Sequence, residues 1–331
     1  MIHVAINGFG RIGRRLFRLI QEHNDIKIVA INDIADSKTL SHLLKYDSIH
    51  GIFSGDINHD EKHIIVNTEF IPLLNSESIE EIDWKPYKVD YVVECSGKYK
   101  TTTILENHVK NGASKVILSV PPLDDSIKTI AMGVNDDVLD SNDIIISNAS
   151  CTTNNAAPMI DVINKLCDIK QAYITTVHSY TTDQSLHDQP HRDLRRARAA
   201  GQSIVPTTTG AAKALTKIFP DLSDVIGGCG IRVPVANGSL TDITFNVYNE
   251  TTVEAINKAF EIASSTNYKG VLQYIEDPIV SIDIVGNSHS CVFDAQMTSV
   301  IGDMIKIIGW YDNETGYSNR IIDLIKKLDT L

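Results

Sequence analysis

The sequence has 331 residues, of which 43% are hydrophobic and 22% are charged, and its formal net charge is −12. This length and apolar content favour two folded domains with sizeable cores. The acidic balance argues against a nucleic-acid-binding protein, because such proteins usually carry a basic surface. Neither a signal peptide nor an apolar run of about 18 residues is apparent, so we expect a cytoplasmic protein without a membrane span.

Short apolar strands alternate with helical patterns in the first part of the chain. The predicted strands lie at residues 3–7, 26–31, 91–94, 116–119 and 144–147, and the predicted helices at 11–22 and 104–111. This alternation is typical of an open parallel sheet with right-handed crossovers. We therefore predict a Rossmann-type, doubly wound α/β domain over residues 1–150.

The pattern changes after residue 150. A helix is predicted at 152–165, strands at 171–179, 231–233, 241–249 and 304–311, and an amphipathic helix at 317–328. These strands are longer and partly alternating, which is typical of an antiparallel sheet. We therefore predict a second, α+β domain over residues 151–316, built on a mostly antiparallel sheet.

A glycine-rich turn follows the first predicted strand. Gly8, Gly10 and Gly13 match G-x-G-x-x-G at the start of a helix, and Asp33 ends the second strand. In this context the glycines allow a tight turn, a close approach to a pyrophosphate and close helix packing. The carboxylate of Asp33 would accept from ribose hydroxyls and repel a 2′-phosphate. The alternative is a turn that only needs glycines, but the strand, helix and acidic residue together favour dinucleotide binding.

Cys151 is the candidate nucleophile. Its neighbours are Ser, Thr and Asn at the start of a predicted helix, where a thiolate is stabilised and backbone N–H groups can bind an oxyanion. His178 ends an apolar strand and is the candidate base. The sequence does not pair the two, and a histidine at a strand end is often structural. The other four cysteines fit inert thiols, with no disulfide framework and no metal site, and they are Cys95, Cys167, Cys229 and Cys291.

Cationic and hydroxyl side chains in the second half suit phosphate recognition. Residues 193–198 contain Arg195, Arg196 and Arg198, and Arg232 lies within an apolar strand. Residues 206–212 contain three threonines and a glycine at a predicted helix start. The alternatives are a solvated cationic face, an ordinary helix cap and an arginine paired with an internal acid.

Five ordered motifs resemble the phosphorylating glyceraldehyde-3-phosphate dehydrogenase family over essentially the whole chain. They lie at residues 7–14 (NGFGRIGR), 148–154 (NASCTTN), 177–180 (VHSY), 207–213 (TTTGAAK) and 310–317 (WYDNETGY). The resemblance implies a cytoplasmic homotetramer active in glycolysis and gluconeogenesis, without a nucleic-acid or membrane partner. It also implies that the C-terminal helix, residues 317–331, joins the first domain.

The resemblance implies the following chemistry. Cys151 attacks the aldehyde of glyceraldehyde 3-phosphate, His178 assists proton transfer, hydride passes to NAD, and inorganic phosphate releases the thioester as 1,3-bisphosphoglycerate. The implied substrate-phosphate residues are Thr181, Asp183 and Arg232. The implied inorganic-phosphate residues are Thr152, Arg196, Thr209 and Gly210, with Ser150 beside the nucleophile. Arg196 is preferred to Arg195 and Arg198 for its spacing from Asp193. The implied cofactor residues are Gly8, Gly10, Arg11, Ile12, Gly13, Asp33, Ser96, Ser119 and Asn313.

Three positions depart from the family pattern. Asn155 replaces a frequent second cysteine, Glu77 replaces a frequent arginine near the adenine, and Gln189 replaces a leucine common in strictly NAD-specific bacterial members. Gln189 could accommodate a 2′-phosphate, whereas Asp33 opposes it. We therefore expect NAD as cofactor and leave use of NADP open.

Three rival functions fit the sequence less well. Erythrose-4-phosphate dehydrogenase is disfavoured by Asp33, by Thr209 with Gly210, and by the Glu-Thr-Gly run at 314–316. A Cys–His hydrolase would not explain the glycine-rich turn. A non-enzymatic scaffold would predict a damaged site, yet Cys151, His178 and Arg232 are all present.

Overall fold

A computed structural model describes residues 1–331. The chain divides into two compact units. Unit 1 comprises Met1–Ile130, Asp137–Ala149 and Ser318–Leu331, and unit 2 comprises Ala131–Asp136 and Ser150–Tyr317.

Unit 1 is built on one nine-stranded sheet with the order β10-β11-β9-β8-β1-β2-β7-β6-β5. Its strands are β1 (Ile2–Asn7), β2 (Ile26–Asn32), β5 (Ile57–His59), β6 (His63–Val66), β7 (Glu69–Leu74), β8 (Tyr91–Glu94), β9 (Lys115–Leu118), β10 (Lys128–Thr129) and β11 (Ile145–Ser147). A two-stranded ribbon of β3 (Tyr46–Asp47) and β4 (Gly51–Ile52) lies apart from it. The helices of this unit are α1 (Arg11–Ile20), α2 (Ser37–Lys45) and α3 (Thr102–Lys110). The strands from β10 to β7 pair in parallel, and β5, β6 and β7 pair antiparallel.

Parallel pairing aligns the carboxyl ends of the three central strands of unit 1. Asn7 at the end of β1 is in register with Asn32 at the end of β2 and with Glu94 at the end of β8. The strands before these residues are almost wholly buried, as expected when helices cover both faces of a parallel sheet. Three buried polar side chains therefore lie side by side beneath the glycine-rich turn.

Unit 2 is built on an eight-stranded, mostly antiparallel sheet with the order β13-β14-β12-β15-β19-β17-β16, with β18 paired to β19. Its strands are β12 (Ile169–Ser179), β13 (Val205–Thr207), β14 (Ile226–Val233), β15 (Ser239–Val247), β16 (Leu272–Ile275), β17 (Cys291–Asp294), β18 (Ser299–Ile301) and β19 (Met304–Tyr311). Its helices are α4 (Cys151–Cys167), α5 (Ala211–Ile218) and α6 (Val253–Ser265). The core lies between α4, α6 and the sheet, where the rings of Phe260 and Phe293 stack with centroids 3.8 Å apart.

The predicted fold class is confirmed, and two pairings in the second sheet are parallel. Strand β12 pairs with β14 in parallel and places His178 opposite Arg232. Helix α7 (Thr315–Asp329) ends the chain, with residues 318–329 in unit 1. The predicted helix at 11–22 was too long, because α1 ends at Ile20. Helices α2 and α6 were not predicted, and only the start of α5 was predicted, within residues 206–212.

Candidate active site

Cys151 is the first residue of α4, a helix of 17 residues. Ser150 caps this helix, because its Oγ accepts a hydrogen bond of 3.1 Å from the Thr153 N–H. Ala149, immediately before the cap, has a φ of 56°, a left-handed conformation that costs a non-glycine residue about 1–3 kcal/mol. This conformation ends the incoming strand and starts the helix at the cysteine. The thiol therefore lies at the positive end of a helix, where a thiolate is favoured.

His178 contacts the thiol directly. Its Nε2 lies 3.4 Å from the Cys151 Sγ, and its Nδ1 lies 2.7 Å from the Ser179 carbonyl oxygen. When Nδ1 carries the imidazole proton and donates it to this carbonyl oxygen, Nε2 presents its lone pair to the thiol. This is the tautomer that a general base requires.

Burial and one arginine set the protonation of the pair. Burial, together with the charge of Arg232, lowers the pKa of His178 to about 3. Burial raises the pKa of the Cys151 thiol, whereas Arg232 and the hydrogen bonds of Thr152 lower it. The resting pair is therefore a neutral thiol beside a neutral imidazole, with cationic and N–H groups placed to stabilise the thiolate once its proton leaves.

Arg232 lies on β14 next to His178. Its Nη1 donates to the Ser179 carbonyl oxygen at 3.0 Å and to the Thr181 Oγ1 at 3.3 Å, and it lies 3.0 Å from the His178 Nδ1. Burial lowers the pKa of its guanidinium, but an arginine side chain stays positively charged in proteins. Thr181 and Arg232, predicted together as phosphate residues, are thus in contact.

Arg196 makes contacts that Arg195 and Arg198 lack. It forms an ion pair with Asp183, its Nε donates to the Thr207 Oγ1 at 3.0 Å, and its Nη2 donates to the Thr208 carbonyl oxygen at 3.3 Å. Arg198 instead pairs with exposed Asp188. Thr209 and Gly210 follow these threonines and precede α5, and the Thr209 Oγ1 accepts from the Ala211 N–H at 3.2 Å.

Asp183 and Thr181 were predicted together for the substrate phosphate, but they contact different arginines. Asp183 pairs with Arg196, the arginine predicted for inorganic phosphate, whereas Thr181 contacts Arg232.

Tyr311 is a buried residue near the nucleophile that the sequence analysis did not single out. Its Oη lies 2.9 Å from the Thr152 Oγ1 and 2.9 Å from the Thr176 Oγ1, and its ring meets the His178 ring edge-on with centroids 5.9 Å apart. Burial raises the pKa of its hydroxyl, which stays protonated as a hydrogen-bond donor. The only sequence signal was its position in the motif at 310–317.

Asn313 of unit 2 has a fixed amide orientation. Its Oδ1 accepts from the Ser179 Oγ at 2.9 Å and from the Ser239 Oγ at 3.1 Å. Because both hydroxyls donate to the oxygen, the Nδ2 group is left to donate elsewhere. Neither serine had been predicted to support this residue.

A cavity of about 350 Å³ lies beside the glycine-rich turn in unit 1. Its lining includes the predicted residues Gly8, Gly10, Asp33 and Ser96, together with Asn7, Asn32, Ser76 and Glu77. The Asp33 Oδ2 accepts from the Phe9 N–H at 2.7 Å, and its Oδ1 accepts from the Ala35 N–H at 3.0 Å, so the carboxylate is fixed at the cavity edge.

The glycines of this turn fit a dinucleotide. Gly8 has a φ of 93°, and a Cβ there would lie 2.5 Å from the Ser96 nitrogen, whereas a Cβ at Gly10 would meet nothing within 4 Å. Backbone at Gly10 is thus open to a pyrophosphate, at the start of a helix whose N–H groups favour anions. These residues suit the binding of NAD, with the Asp33 carboxylate available to ribose hydroxyls.

The remaining predicted cofactor residues occupy several places. Arg11, Ile12 and Gly13 form the first turn of α1, and Arg11 is paired with Asp47 at 2.7 Å. Ser119 is buried after β9 and hydrogen bonds the Cys95 thiol.

Three of the other cysteines have a raised pKa, which makes their thiols poor nucleophiles. Burial raises the pKa of Cys95 to about 12 and that of Cys167 to about 11, and it raises that of Cys291 as well.

Asn155, one turn after Cys151, donates to the Ser290 and Trp310 carbonyl oxygens, each at 3.2 Å. No group of three or more His, Cys, Asp or Glu side chains is arranged to hold a metal ion, and no helix is long and apolar enough to span a membrane.

Comparisons with known proteins agree with this geometry. Residues 2–102 match the family model of the glyceraldehyde 3-phosphate dehydrogenase NAD binding domain, and residues 150–313 match that of its C-terminal domain. The chain is 48% identical over 326 residues to glyceraldehyde-3-phosphate dehydrogenase 2 of Streptomyces avermitilis, covering 98% of this chain and 97% of that protein. It is 45% identical over 326 residues to glyceraldehyde-3-phosphate dehydrogenase 1 of Bacillus cereus, with the same coverage. It is 46% identical over 325 residues to the Geobacillus stearothermophilus enzyme, again covering 98% and 97%. The chain therefore belongs to the glyceraldehyde-3-phosphate dehydrogenase family.

Proposed function

We propose that this protein oxidises D-glyceraldehyde 3-phosphate with NAD and inorganic phosphate to give 1,3-bisphosphoglycerate, reversibly, in glycolysis and gluconeogenesis. The observation that carries the proposal is the 3.4 Å contact between the Cys151 Sγ and the His178 Nε2, with Arg232 beside both. Residues 1–150 with 317–331 would bind NAD, and residues 151–316 would carry the catalytic groups.

The first half of the reaction uses Cys151 and His178. The thiol proton passes to the His178 Nε2 as the sulfur attacks the aldehyde carbon. The imidazolium then gives this proton to the oxygen of the adduct, and the product is a neutral thiohemiacetal. The backbone N–H groups at the start of α4 stabilise the oxygen that gains negative charge. NAD, when bound, supplies the acceptor for the hydride that leaves the thiohemiacetal carbon, while the hydroxyl proton returns to the imidazole. A thioester on Cys151 remains.

The second half is phosphorolysis. Thr181 and Arg232 would hold the substrate phosphate. The ion pair with Asp183 would keep the Arg196 side chain in one orientation. Inorganic phosphate would bind at Thr152, Arg196, Thr209 and Gly210 with Ser150 nearby, and one of its oxygens attacks the thioester carbonyl carbon. The carbon–sulfur bond breaks, the acyl phosphate leaves, and the thiolate is regenerated. The N–H donors that bound the first oxyanion serve the second one as well.

NAD is the favoured cofactor because Asp33 borders the cavity of unit 1. A 2′-phosphate beside this carboxylate would place two anions together. Gln189 could accommodate a 2′-phosphate, so NADP is the second candidate cofactor. Comparing kcat/KM for NAD and NADP with the same aldehyde decides between them. Erythrose 4-phosphate is the alternative substrate, and the same assay with both sugars tests it.

We also propose a cytoplasmic homotetramer. Large apolar side chains are exposed on the segment after β12, where Leu186, Leu194 and Ile204 are 75%, 81% and 69% exposed. Tyr173 on β12 itself is 54% exposed. Clustered exposed apolar residues are typical of surfaces that other subunits cover.

The central test is Cys151→Ser. We expect it to lower phosphate-dependent NAD reduction by about a thousandfold or more, since a serine hydroxyl is far less acidic than a thiol. Cys229→Ser is the matched control, because it exchanges the same atom on β14 and should retain activity. Retention of activity by Cys151→Ser would refute the mechanism.

A further inference from the structure

Glu94, at the end of β8, is a fully buried carboxylate that the proposed reaction does not use. Its Oε2 accepts from the Asn7 Nδ2 at 2.5 Å and lies 3.1 Å from the His108 Nε2. Its Oε1 accepts from the Ser96 N–H at 2.8 Å and from the Ser96 hydroxyl. Neither Lys nor Arg pairs with it in the structure. A buried carboxylate without such a partner depends entirely on its hydrogen-bond donors.

His108 acts as a neutral donor in this cluster. The Trp84 Nε1 lies 3.0 Å from the His108 Nδ1, and an indole N–H can only donate. The Nδ1 therefore holds a lone pair, and the proton of the imidazole is on Nε2, facing Glu94. Both carboxylate oxygens of Glu94 thus face donors and act as acceptors.

The acceptor character of Glu94 sets the direction of a chain of side-chain amides. Since Asn7 must donate its Nδ2 to Glu94, its Oδ1 faces Asn32 and accepts from the Asn32 Nδ2 at 2.8 Å. The Asn32 Oδ1 then accepts from the Ser76 N–H at 3.0 Å. Each amide has one allowed orientation, and reversing any one of them would oppose two donors or two acceptors in a buried place.

The same side chains form the wall of the dinucleotide cavity. Asn7, Asn32, Ser76 and Ser96 all line the space of about 350 Å³ beside Gly8 and Asp33. We propose that Glu94 is a positioning residue for the dinucleotide: through the Ser96 and Asn7–Asn32 hydrogen bonds it fixes which donors and acceptors this wall presents. The inference rests on the proposed use of NAD.

Glu94→Gln tests this role without changing side-chain size. Whichever way its amide turns, the new NH₂ group opposes either the Ser96 donors or those of Asn7 and His108. Because the mismatch displaces Ser96 or Asn7 from the cavity wall, we expect the Kd and KM for NAD to rise about tenfold, with kcat at saturating NAD changed less than about twofold. Titration of NAD binding by protein fluorescence gives the Kd independently of turnover.

Two controls separate positioning from general destabilisation. Asp143→Asn removes a carboxylate of unit 1 that accepts from the Lys128 Nζ at 2.8 Å and does not line the cavity, so its Kd for NAD should equal that of the wild type. Alkylation of Cys151 by iodoacetamide without NAD should proceed equally in all folded variants. If Glu94→Gln lowers thermal stability yet binds NAD as the wild type does, Glu94 is structural only and the inference is wrong.

A rescue gives the sharpest readout. In Asn7→Asp/Glu94→Gln the glutamine NH₂ donates to the new carboxylate, which still accepts from Asn32, so only the His108 contact stays mismatched. We expect the double variant to bind NAD at least about threefold more tightly than Glu94→Gln does, whereas a merely structural role predicts no such difference.

A second variant serves if Glu94→Gln does not fold. Asn32→Asp opposes the Asn7 Oδ1 with a second acceptor and should also weaken NAD binding, and unchanged binding would overturn the inference. Wild-type protein that fails to bind NAD would instead refute the proposed function, so the two failures are distinguishable.

Discussion

Arg232 would link phosphate recognition to the proposed base, His178. One guanidinium nitrogen donates to Thr181 and also lies 3.0 Å from the His178 Nδ1, and its charge adds to the effect of burial in lowering the pKa of His178. An anion paired with Arg232 would offset that charge and make His178 a better proton acceptor. Binding of the substrate phosphate would therefore assist the deprotonation of Cys151.

We expect Arg232→Gln to discriminate between two aldehydes. The variant should lose about a hundredfold in kcat/KM with glyceraldehyde 3-phosphate, because charge-assisted hydrogen bonds contribute about 1.5–3 kcal/mol each. With unphosphorylated glyceraldehyde the loss should be less than about fivefold. Steady-state kinetics with both aldehydes measures the ratio. Arg198→Gln, which removes an exposed arginine of the neighbouring segment, should change neither value, and equal losses with both aldehydes would exclude Arg232 from phosphate binding.

Single residues were predictable where their neighbours were unusual. Cys151 stood out because its flanks are polar, whereas Cys167 lies in an apolar helical pattern. His178 could be nominated from its strand end, but its 3.4 Å contact with the thiol depends on β12 and α4 meeting in space. Glu94 gave no signal and Tyr311 only its position in the motif at 310–317, since a buried tyrosine or carboxylate in an apolar strand is recognised only by its partners.

At the level of elements, the start of α4 connects stability with catalysis. Ser150 caps the helix through the Thr153 N–H, and the N–H groups of the next residues face the nucleophile. The cap therefore orders the same turn that would bind the oxyanion.

Ser150→Ala should lower the free energy of unfolding by about 1 kcal/mol, as expected for loss of an N-cap. It should also lower kcat, because the first turn of α4 is less ordered. Thr252→Ala removes the equivalent cap of α6, where the Thr252 Oγ1 accepts from the Ala255 N–H at 3.2 Å. That control should lose similar stability in urea unfolding and keep full kcat. An equal effect of both variants on kcat would contradict the special role of the α4 cap.

The two glycines that start the turn before α1 should respond differently to alanine. Gly8→Ala combines a φ of 93° with a Cβ 2.5 Å from the Ser96 nitrogen, so we expect a loss of about 1–3 kcal/mol of stability even without NAD. Gly10→Ala has open space at its Cβ and should fold normally but bind NAD more weakly, since the methyl group blocks a close approach of the pyrophosphate. Thermal melts without NAD and NAD titrations separate the two effects. Normal NAD binding by Gly10→Ala would argue against this site for the pyrophosphate.

Elements were predictable where one periodicity dominated. Strands β8 and β19 were predicted at their observed bounds, because each is an unbroken apolar or alternating run. Strand β14 was predicted only at 231–233, since three glycines at 227, 228 and 230 weaken the strand pattern before it. The start of α5 was predicted from the threonine-rich segment before it, but its end was not, because the helix has only eight residues. The pairing of β12 with β14 in parallel depends on a crossover that no local pattern records.

For the whole molecule, the exposed apolar segment after β12 leads to a prediction about assembly. Size-exclusion chromatography with light scattering should give a mass about four times the 36.5 kDa of one chain. Replacing Leu194 and Ile204 with Lys should reduce that mass, since burying unpaired charge disfavours an interface. Replacing exposed Leu123 of unit 1 with Lys is the control and should leave the mass unchanged. A wild-type protein that is monomeric at micromolar concentration would refute the tetramer.

Unit 1 begins at Met1 and is completed only by Ser318–Leu331. Lys326 of α7 pairs with Asp25 at 2.9 Å and contacts His23, so residues about 300 positions apart meet within one unit. Contacts of such long sequence separation form late, because a large loop must close first. During synthesis the ribosome releases residues 1–149 long before α7 exists. Unit 1 therefore lacks these contacts until α7 has been synthesised.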